Sequence, residues 1–119
     1  MKIYIVIPAH NEAEFIGKTL QSLVEQSFLP SKIVVVDDQS SDNTAEIVSG
    51  FIQKYPFISL VKNSSSEEHL PGSKVIKAFN KGYDTLDEEY DIICKFDADL
   101  IFPQDYLKTI RSHFETDPK

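Results

Sequence analysis

Four short apolar runs, each ending abruptly in polar residues, are separated by stretches with helical periodicity. This alternation restricts the fold more than any other feature of the chain. The runs cover residues 2–7, 33–36, 57–61 and 91–96. The first is β-rich and stops at Pro8. The second, Ile33 to Val36, is apolar without interruption, as expected of a strand covered on both faces. Between the first two runs, Ile16, Leu20, Leu23 and Val24 share one helical face. Asn11 is placed to cap that helix, with Glu14 three residues on as in a capping box. Val48, Phe51, Ile52 and Tyr55 mark a second helix that Pro56 stops. Residues 63–72 read as a polar loop. Ile76, Phe79, Tyr83 and Leu86 mark a third helix. Pro103 suits the first turn of a fourth, which turns Leu107, Ile110 and Phe114 inward. The order β-α-β-α-β-α-β-α predicts an α/β fold. The expected form is a three-layer α/β/α arrangement with a mainly parallel, Rossmann-like sheet and right-handed crossovers. No repeat, low-complexity stretch or linker interrupts it, so residues 1–119 are expected to form a single domain.

Composition narrows the functions open to such a fold. With 119 residues and 41% hydrophobic content, the chain can bury one core. A formal net charge of −7, with no Lys/Arg cluster, excludes a nucleic-acid groove and argues against docking on anionic lipid. No apolar run approaches the roughly 20 residues of a membrane span. The opening MKIYIVIPAHNE lacks the build of a signal peptide. The expected location is the cytoplasm, with peripheral association at the inner face of the membrane left open. The single cysteine, Cys94, excludes an internal disulfide and alternates into a buried strand position, as a small core residue rather than a nucleophile. An acidic chain that binds an anionic nucleotide needs a local device: a metal ion, a helix N-terminus or a few placed lysines.

Ligands of parallel α/β sheets bind beyond the carboxyl ends of the strands. Three polar clusters stand there. In Asp97-Ala98-Asp99, residues i and i+2 can point to the same side, so two carboxylates can share one hard divalent cation. The alternative is a solvated turn that caps a helix. Asp37 and Asp38 could accept hydrogen bonds from a nucleobase N–H or from ribose hydroxyls. Ser41 or Asp42 could simply cap the second helix. Pro8 and His10 could flank a planar base, and Asn11 reads as the helix cap. Lys74, near the start of the third helix, suits a diphosphate. Lys77 and Lys81 read as a solvated face. His69 and His113 have no partners at metal-ligand spacing. No Ser-His-Asp set can be assembled. No GxGxxG or GxxxxGK loop occurs, which counts against a dinucleotide-binding Rossmann protein and a P-loop ATPase.

Four stretches, IVIPAHNEAEFIGKTLQSLVEQSF, KIVVVDDQSSDNTAEIV, GSKVIKAFNKG and DIICKFDADLIFPQDYL, stand in an order and spacing that resemble family 2 glycosyltransferases of the GT-A fold. The resemblance spans nearly the whole chain. It implies that Pro8 and His10 line a nucleobase pocket and that Glu12 belongs to the same substrate-binding surface. It implies that one of Asp37 and Asp38 contacts the base and that Lys74 lies near the base and phosphates. Asp97 and Asp99 match the family's DxD, which binds Mn²⁺ or Mg²⁺ together with the ribose and diphosphate of the donor. The implied donor is a nucleotide-diphospho-sugar, a UDP-sugar above all. The implied acceptor is a sugar or lipid-linked glycan, in cell-envelope polysaccharide synthesis, and transfer inverts the anomeric configuration. Family members continue past the DxD into an acceptor-side half that supplies an Asp or Glu base. That base is expected beyond Lys119, so the chain is expected to be a donor-binding half that needs the rest for transfer. Two other readings stay open. A sugar-phosphate nucleotidyltransferase should show a glycine- and basic-rich loop after the first strand, where PAHNE stands instead. A non-catalytic nucleotide-binding module would keep the fold without the base. A receiver domain, with acidic residues after its first and third strands, fits poorly.

Overall fold

The computed structural model of the chain describes residues 2–63, 86–87 and 89–116. Among these residues four parallel strands form one sheet in the order β3-β2-β1-β4: β1 is Ile3–Ala9, β2 Lys32–Asp38, β3 Ile58–Asn63 and β4 Ile92–Lys95. Three helices are described: α1 over Ile16–Val24, α2 over Thr44–Lys54 and α3 over Tyr106–Thr116. The α/β alternation and the parallel sheet agree with the sequence pattern. The helix expected from Ile76 to Leu86, and with it Lys74, lies outside the described residues except for Leu86 itself.

Alternation along the strands separates two apolar layers. Ile3, Ile5, Ile7 and Ala9 of β1, with Ile33 and Val35 of β2, face the main core. There they meet Ile16, Leu20 and Leu23 of α1, Val48 of α2 and Leu107 of α3, all fully buried. The opposite face carries Val6, Val34 and Val36, packed with Val61, Leu86 and Ile93. Phe114, expected to face inward, is 40% exposed instead. The helix that bears it starts at Tyr106, a turn later than Pro103 suggested, because the Pro103 carbonyl is used by a tight turn to the Tyr106 N–H (3.1 Å).

Two strands run further than their apolar composition suggests. β1 continues through Pro8 to Ala9, and β2 through Asp37 and Asp38. Pro8 is tolerated in a central strand for a positional reason. Val6 offers its carbonyl to the Phe96 N–H on the β4 side (3.1 Å), and β4 ends at Lys95 opposite Val6. The backbone of residue 8 faces the same side as that of residue 6, so the N–H that proline lacks has no strand to pair with there. The ladder on the other side still pairs Pro8 with Val36 and Ala9 with Asp37.

At the amino ends of the strands a polar anchor ties Asp87 to the sheet. The buried Tyr4 donates its hydroxyl to Asp87 Oδ1 (2.7 Å), and Lys32 Nζ meets Oδ2 at 2.7 Å. The Glu89 N–H donates to Oδ1 as well (3.0 Å). The Lys32 ammonium, then the Tyr4 hydroxyl, hold the Asp87 carboxyl far below the usual carboxylate range. A carboxyl whose folded pKa is depressed stabilises the fold above its unfolded value, about pH 4, and loses that contribution as pH falls toward the folded value. Urea-unfolding midpoints measured from neutral pH downward are therefore expected to fall below pH 4. Asp87→Asn should be less stable than the wild type at neutral pH and should show a flatter acid limb. Parallel acid limbs for the two proteins would remove the anchor's role.

Candidate functional site

The sheet order places β1 between β2 and β4, although β4 comes last in the chain. The first two crossovers move outward on one side of β1, and the chain then returns to its other side. This is the topological switch point at which α/β sheets leave a crevice beyond the strand ends. A cleft of about 280 Å³ lies there, lined by Pro8, Ala9, His10, Glu12, Asp38, Asp97, Ala98 and Asp99. Three strand ends thus contribute to one concavity: the end of β1 and the turn after it give Pro8, Ala9, His10 and Glu12, β2 gives Asp38, and the turn after β4 gives residues 97–99.

Most of the residues singled out from the sequence meet in this cleft. Pro8, His10, Glu12, Asp38, Asp97 and Asp99 line it. Asp37 does not. Adjacent strand residues point to opposite faces, and the Asp37 carboxyl, almost fully buried, accepts the Ser40 N–H at 3.1 Å. It closes the turn that presents Asp38. Lys74 lies outside the described residues.

The loops after β1 and β2 are bound to each other. His10 Nδ1 lies 2.6 Å from the Asp38 carbonyl, which fixes the ring at the rim. The Asn11 N–H donates to Ser40 Oγ (2.9 Å), Glu12 N–H to Thr44 Oγ1 (3.0 Å), and Ala13 N–H to Asp42 Oδ2 (3.2 Å). Asn11 Oδ1 in turn accepts the Ser41 N–H at 2.7 Å. Asn11 therefore does not cap α1. That helix begins at Ile16, with Phe15 at its N-cap position and no side-chain cap. The reason is backbone geometry. Asn11 has φ 52°, the left-handed conformation that asparagine tolerates, and this aims its amide across to the second loop. Gln39, at φ 57°, is the other non-glycine residue of this kind among the described residues, and it follows Asp38 directly. Asp42 accepts the Thr44 N–H (3.0 Å) and hydroxyl at the start of α2, and the hydroxyl bond above all holds its carboxyl below the ordinary range.

The electrostatics of the cleft are one-sided. Burial pushes the Glu12 carboxyl above its usual range, and the charges of Asp99, Asp42 and Asp97 push it further, against an opposing pull from His10. A partly buried acid surrounded by carboxylates favours a positive charge beside it. Among the described residues no group of three or more His, Cys, Asp or Glu side chains is placed to hold a metal ion. A cation here would take Asp97 and Asp99 from the chain and complete its oxygen shell from ligand and water, the open coordination that suits Mg²⁺ or Mn²⁺ at a phosphate site. Cys94 takes no part. It packs against the main core, and burial raises its thiol to about 11.

The glycosyl transferase family 2 model matches residues 4–119. The chain belongs to glycosyl transferase family 2. It is 37% identical over 100 residues to the probable glycosyltransferase YdaM of Bacillus subtilis, covering 82% of this chain and 23% of that protein. It is 29% identical over 119 residues to the poly-β-1,6-N-acetyl-D-glucosamine synthase of Staphylococcus aureus, covering 98% of this chain and 26% of that one. The chain thus spans about a quarter of these family 2 relatives. Among solved structures it is similar to S. aureus TarS (residues 1–349) in complex with UDP, with a TM-score of 0.79 and 26% identity over 98% of this chain and 32% of that one. It is also similar to the mannosyltransferase PcManGT of Pyrobaculum calidifontis in complex with GDP-Man and Mn²⁺, with a TM-score of 0.64 and 25% identity over 86% of this chain and 28% of that one. These likenesses fix the fold as the GT-A arrangement of the family. No helix among the described residues is long and apolar enough to cross a membrane.

Three features of the site were not read from the sequence. They are the cross-loop clamp centred on Asn11, the use of Asp37 as a turn closer, and a buried polar stripe on α1 beneath Asp97–Asp99. The stripe had a signal: Thr19, Ser22 and Gln26 recur at helical spacing beside the apolar face.

Proposed function

We propose that this chain is the donor-binding half of a glycosyltransferase domain, holding a nucleotide-diphospho-sugar, with Mn²⁺ or Mg²⁺, in the cleft at the switch point. The observation that carries this reading is the convergence of Pro8, His10 and Asp38 with Asp97 and Asp99 on one crevice beyond the strand ends. The base lies against Pro8 and His10, whose ring is fixed by the Asp38 carbonyl. Asp38 accepts from the base or ribose, and Asp37 supports it by closing the turn. Asp97 and Asp99 hold the cation, with Asp97 also toward the ribose and diphosphate. Lys74 is assigned to the phosphates. The likeness to UDP-bound TarS supports a UDP-sugar, and the likeness to a GDP-Man and Mn²⁺ complex supports the cation.

A bound divalent cation would supply positive charge for the diphosphate that leaves the sugar. The chain's residues do the rest of the donor-side work: they hold the nucleotide in one orientation and leave the anomeric carbon open to an incoming acceptor hydroxyl. In-line attack by that hydroxyl inverts configuration, and its proton goes to a carboxylate base assigned to the acceptor-side half. The likeness to a polysaccharide synthase supports a glycan acceptor of the cell envelope.

The test is calorimetric titration of the folded chain with UDP and GDP, with and without Mn²⁺. Tight binding of UDP that depends on Mn²⁺ is expected. A folded chain that binds neither nucleotide under either condition would exclude the donor site.

A further inference from the structure

Helix α1 buries two different stripes. Ile16, Leu20 and Leu23 enter the apolar core. Thr19 and Ser22, continued by Gln26 just past the helix end, are as deeply buried, at 0%, 8% and 5% exposure. Buried hydroxyls and amides destabilise a fold unless they are hydrogen-bonded. Here all three side chains bond to the segment between β4 and α3. Thr19 Oγ1 donates to the Ala98 carbonyl at 2.9 Å. Ser22 Oγ accepts the Phe102 N–H at 3.1 Å while donating to the Thr19 carbonyl at 2.8 Å. Gln26 Nε2 donates to the Pro103 carbonyl at 2.5 Å, and its Oε1 accepts the Leu107 N–H at 2.9 Å.

The direction of the Thr19 bond is informative. A threonine hydroxyl inside a helix ordinarily satisfies itself on a carbonyl one turn back. Thr19 instead reaches a residue 79 positions away in sequence. Its acceptor is the carbonyl of Ala98, the residue between the two carboxylates of Asp97 and Asp99. That carbonyl belongs to the peptide plane joining Ala98 to Asp99, so fixing it restrains ψ of Ala98 and φ of Asp99, two of the torsions that set how the flanking carboxylates stand relative to each other. The ends of the loop are stapled as well: the Phe96 and Phe102 rings lie 4.5 Å apart, and both pack on Tyr106. Asp97 and Asp99 themselves are exposed, so their own contacts with the fold do little to orient them.

We propose that Thr19 is a positioning residue for the cation site: its buried hydroxyl pins the Ala98 carbonyl and so holds Asp97 and Asp99 at the separation one divalent cation requires. The ligand in this statement rests on the donor-site reading above. The holding function stands on the hydrogen bonds alone.

Two variants test it. Thr19→Val keeps the shape and removes the hydroxyl, and Thr19→Ser keeps the hydroxyl. Backbone NMR of the full chain reads the loop without any ligand. Thr19→Val should shift and exchange-broaden the amides of residues 97–99 while those of β1 and β2 keep their wild-type positions, and Thr19→Ser should restore the wild-type spectrum. Calorimetry reads the site. Mn²⁺-dependent UDP affinity should fall at least tenfold in Thr19→Val and recover in Thr19→Ser, with affinity for UDP alone unchanged. Wild-type loop amides in Thr19→Val would overturn the proposal. Loss of UDP affinity with and without Mn²⁺ alike, or shifts spread across the sheet, would reduce Thr19 to a general structural residue and overturn it equally. A wild-type chain that binds no UDP with Mn²⁺ removes the donor-site reading instead, and the NMR comparison still decides whether Thr19 orders the loop.

Discussion

Asp99→Asn is expected to abolish most of the cation-dependent affinity for a nucleoside diphosphate and to leave the fold intact. The side chain is exposed, so replacing one oxygen by an amide nitrogen should change stability by no more than about 0.5 kcal/mol. Its effect on a bound cation is of a different order. In the proposed donor site Asp97 and Asp99 would be the chain's two carboxylate ligands to a hard cation, and the substitution would remove half of that charge and one strong ligand. A loss of at least about a hundredfold in Mn²⁺-dependent UDP affinity is expected, near 3 kcal/mol at 1.4 kcal/mol per factor of ten. Affinity for UDP without metal should stay the same or improve, because a negative charge near the phosphates is gone. A second readout needs no ligand. Burial is the main reason the Glu12 carboxyl titrates high, and Asp99 is the leading charge among the rest. Removing that charge should move the Glu12 titration down part of the way toward its ordinary value in an NMR pH series. Mn²⁺-dependent affinity within twofold of wild type would exclude Asp99 as a ligand. A Glu12 titration that does not move would place Asp99 too far away to belong to the same cleft.

Much of the candidate site is legible in the sequence because its residues sit at strand ends, and strand ends are marked by local composition. IICKF followed by Asp97, and Ile33 to Val36 followed by Asp37, each give a strand and a polar rim within ten residues. What failed to show locally was decided by partners far away in the chain. Asn11 and Glu14 satisfy the spacing of a capping box. Yet the backbone at Asn11 turns left-handed, and its amide oxygen serves Ser41, thirty positions on. Asp37 and Asp38 look equivalent in sequence. β2 pairs with β1 as far as Asp37 and with β3 through Asp38, and the pleat sends one carboxyl to the cleft and the other into its own turn. The anchor of Tyr4 and Lys32 on Asp87 is invisible for the same reason, its members lying 83 and 55 positions apart. Lys74, read from its place near a helix start and from the family resemblance, lies outside the described residues.

The two stripes of α1 make stability and donor binding separable, and Leu20→Ala is the substitution that shows it. Leu20 is fully buried in the main core, which it shares with Ile16 and Leu23 of α1 and with Ile5, Ile7 and Val35 of the sheet. Truncation there removes buried apolar surface and leaves a cavity, a combination that costs about 2–5 kcal/mol in close-packed cores. In a domain of this size each kcal/mol corresponds to roughly 4 °C, so a fall of roughly 8–20 °C in melting temperature is expected. Thr19, the next residue back, faces the polar segment and keeps its bond to the Ala98 carbonyl. Well below the melting temperature, the folded fraction of Leu20→Ala should therefore bind UDP and Mn²⁺ within about twofold of wild type. Thr19→Val is expected to reverse the balance, with a stability loss of about 1–3 kcal/mol from the Ala98 carbonyl left without its donor and at least a tenfold loss of metal-dependent affinity. Urea unfolding and calorimetry on the two proteins decide the matter. If Leu20→Ala loses affinity in proportion to its stability, the helix transmits core strain into the Asp97–Asp99 loop. Its two faces would then act as one unit.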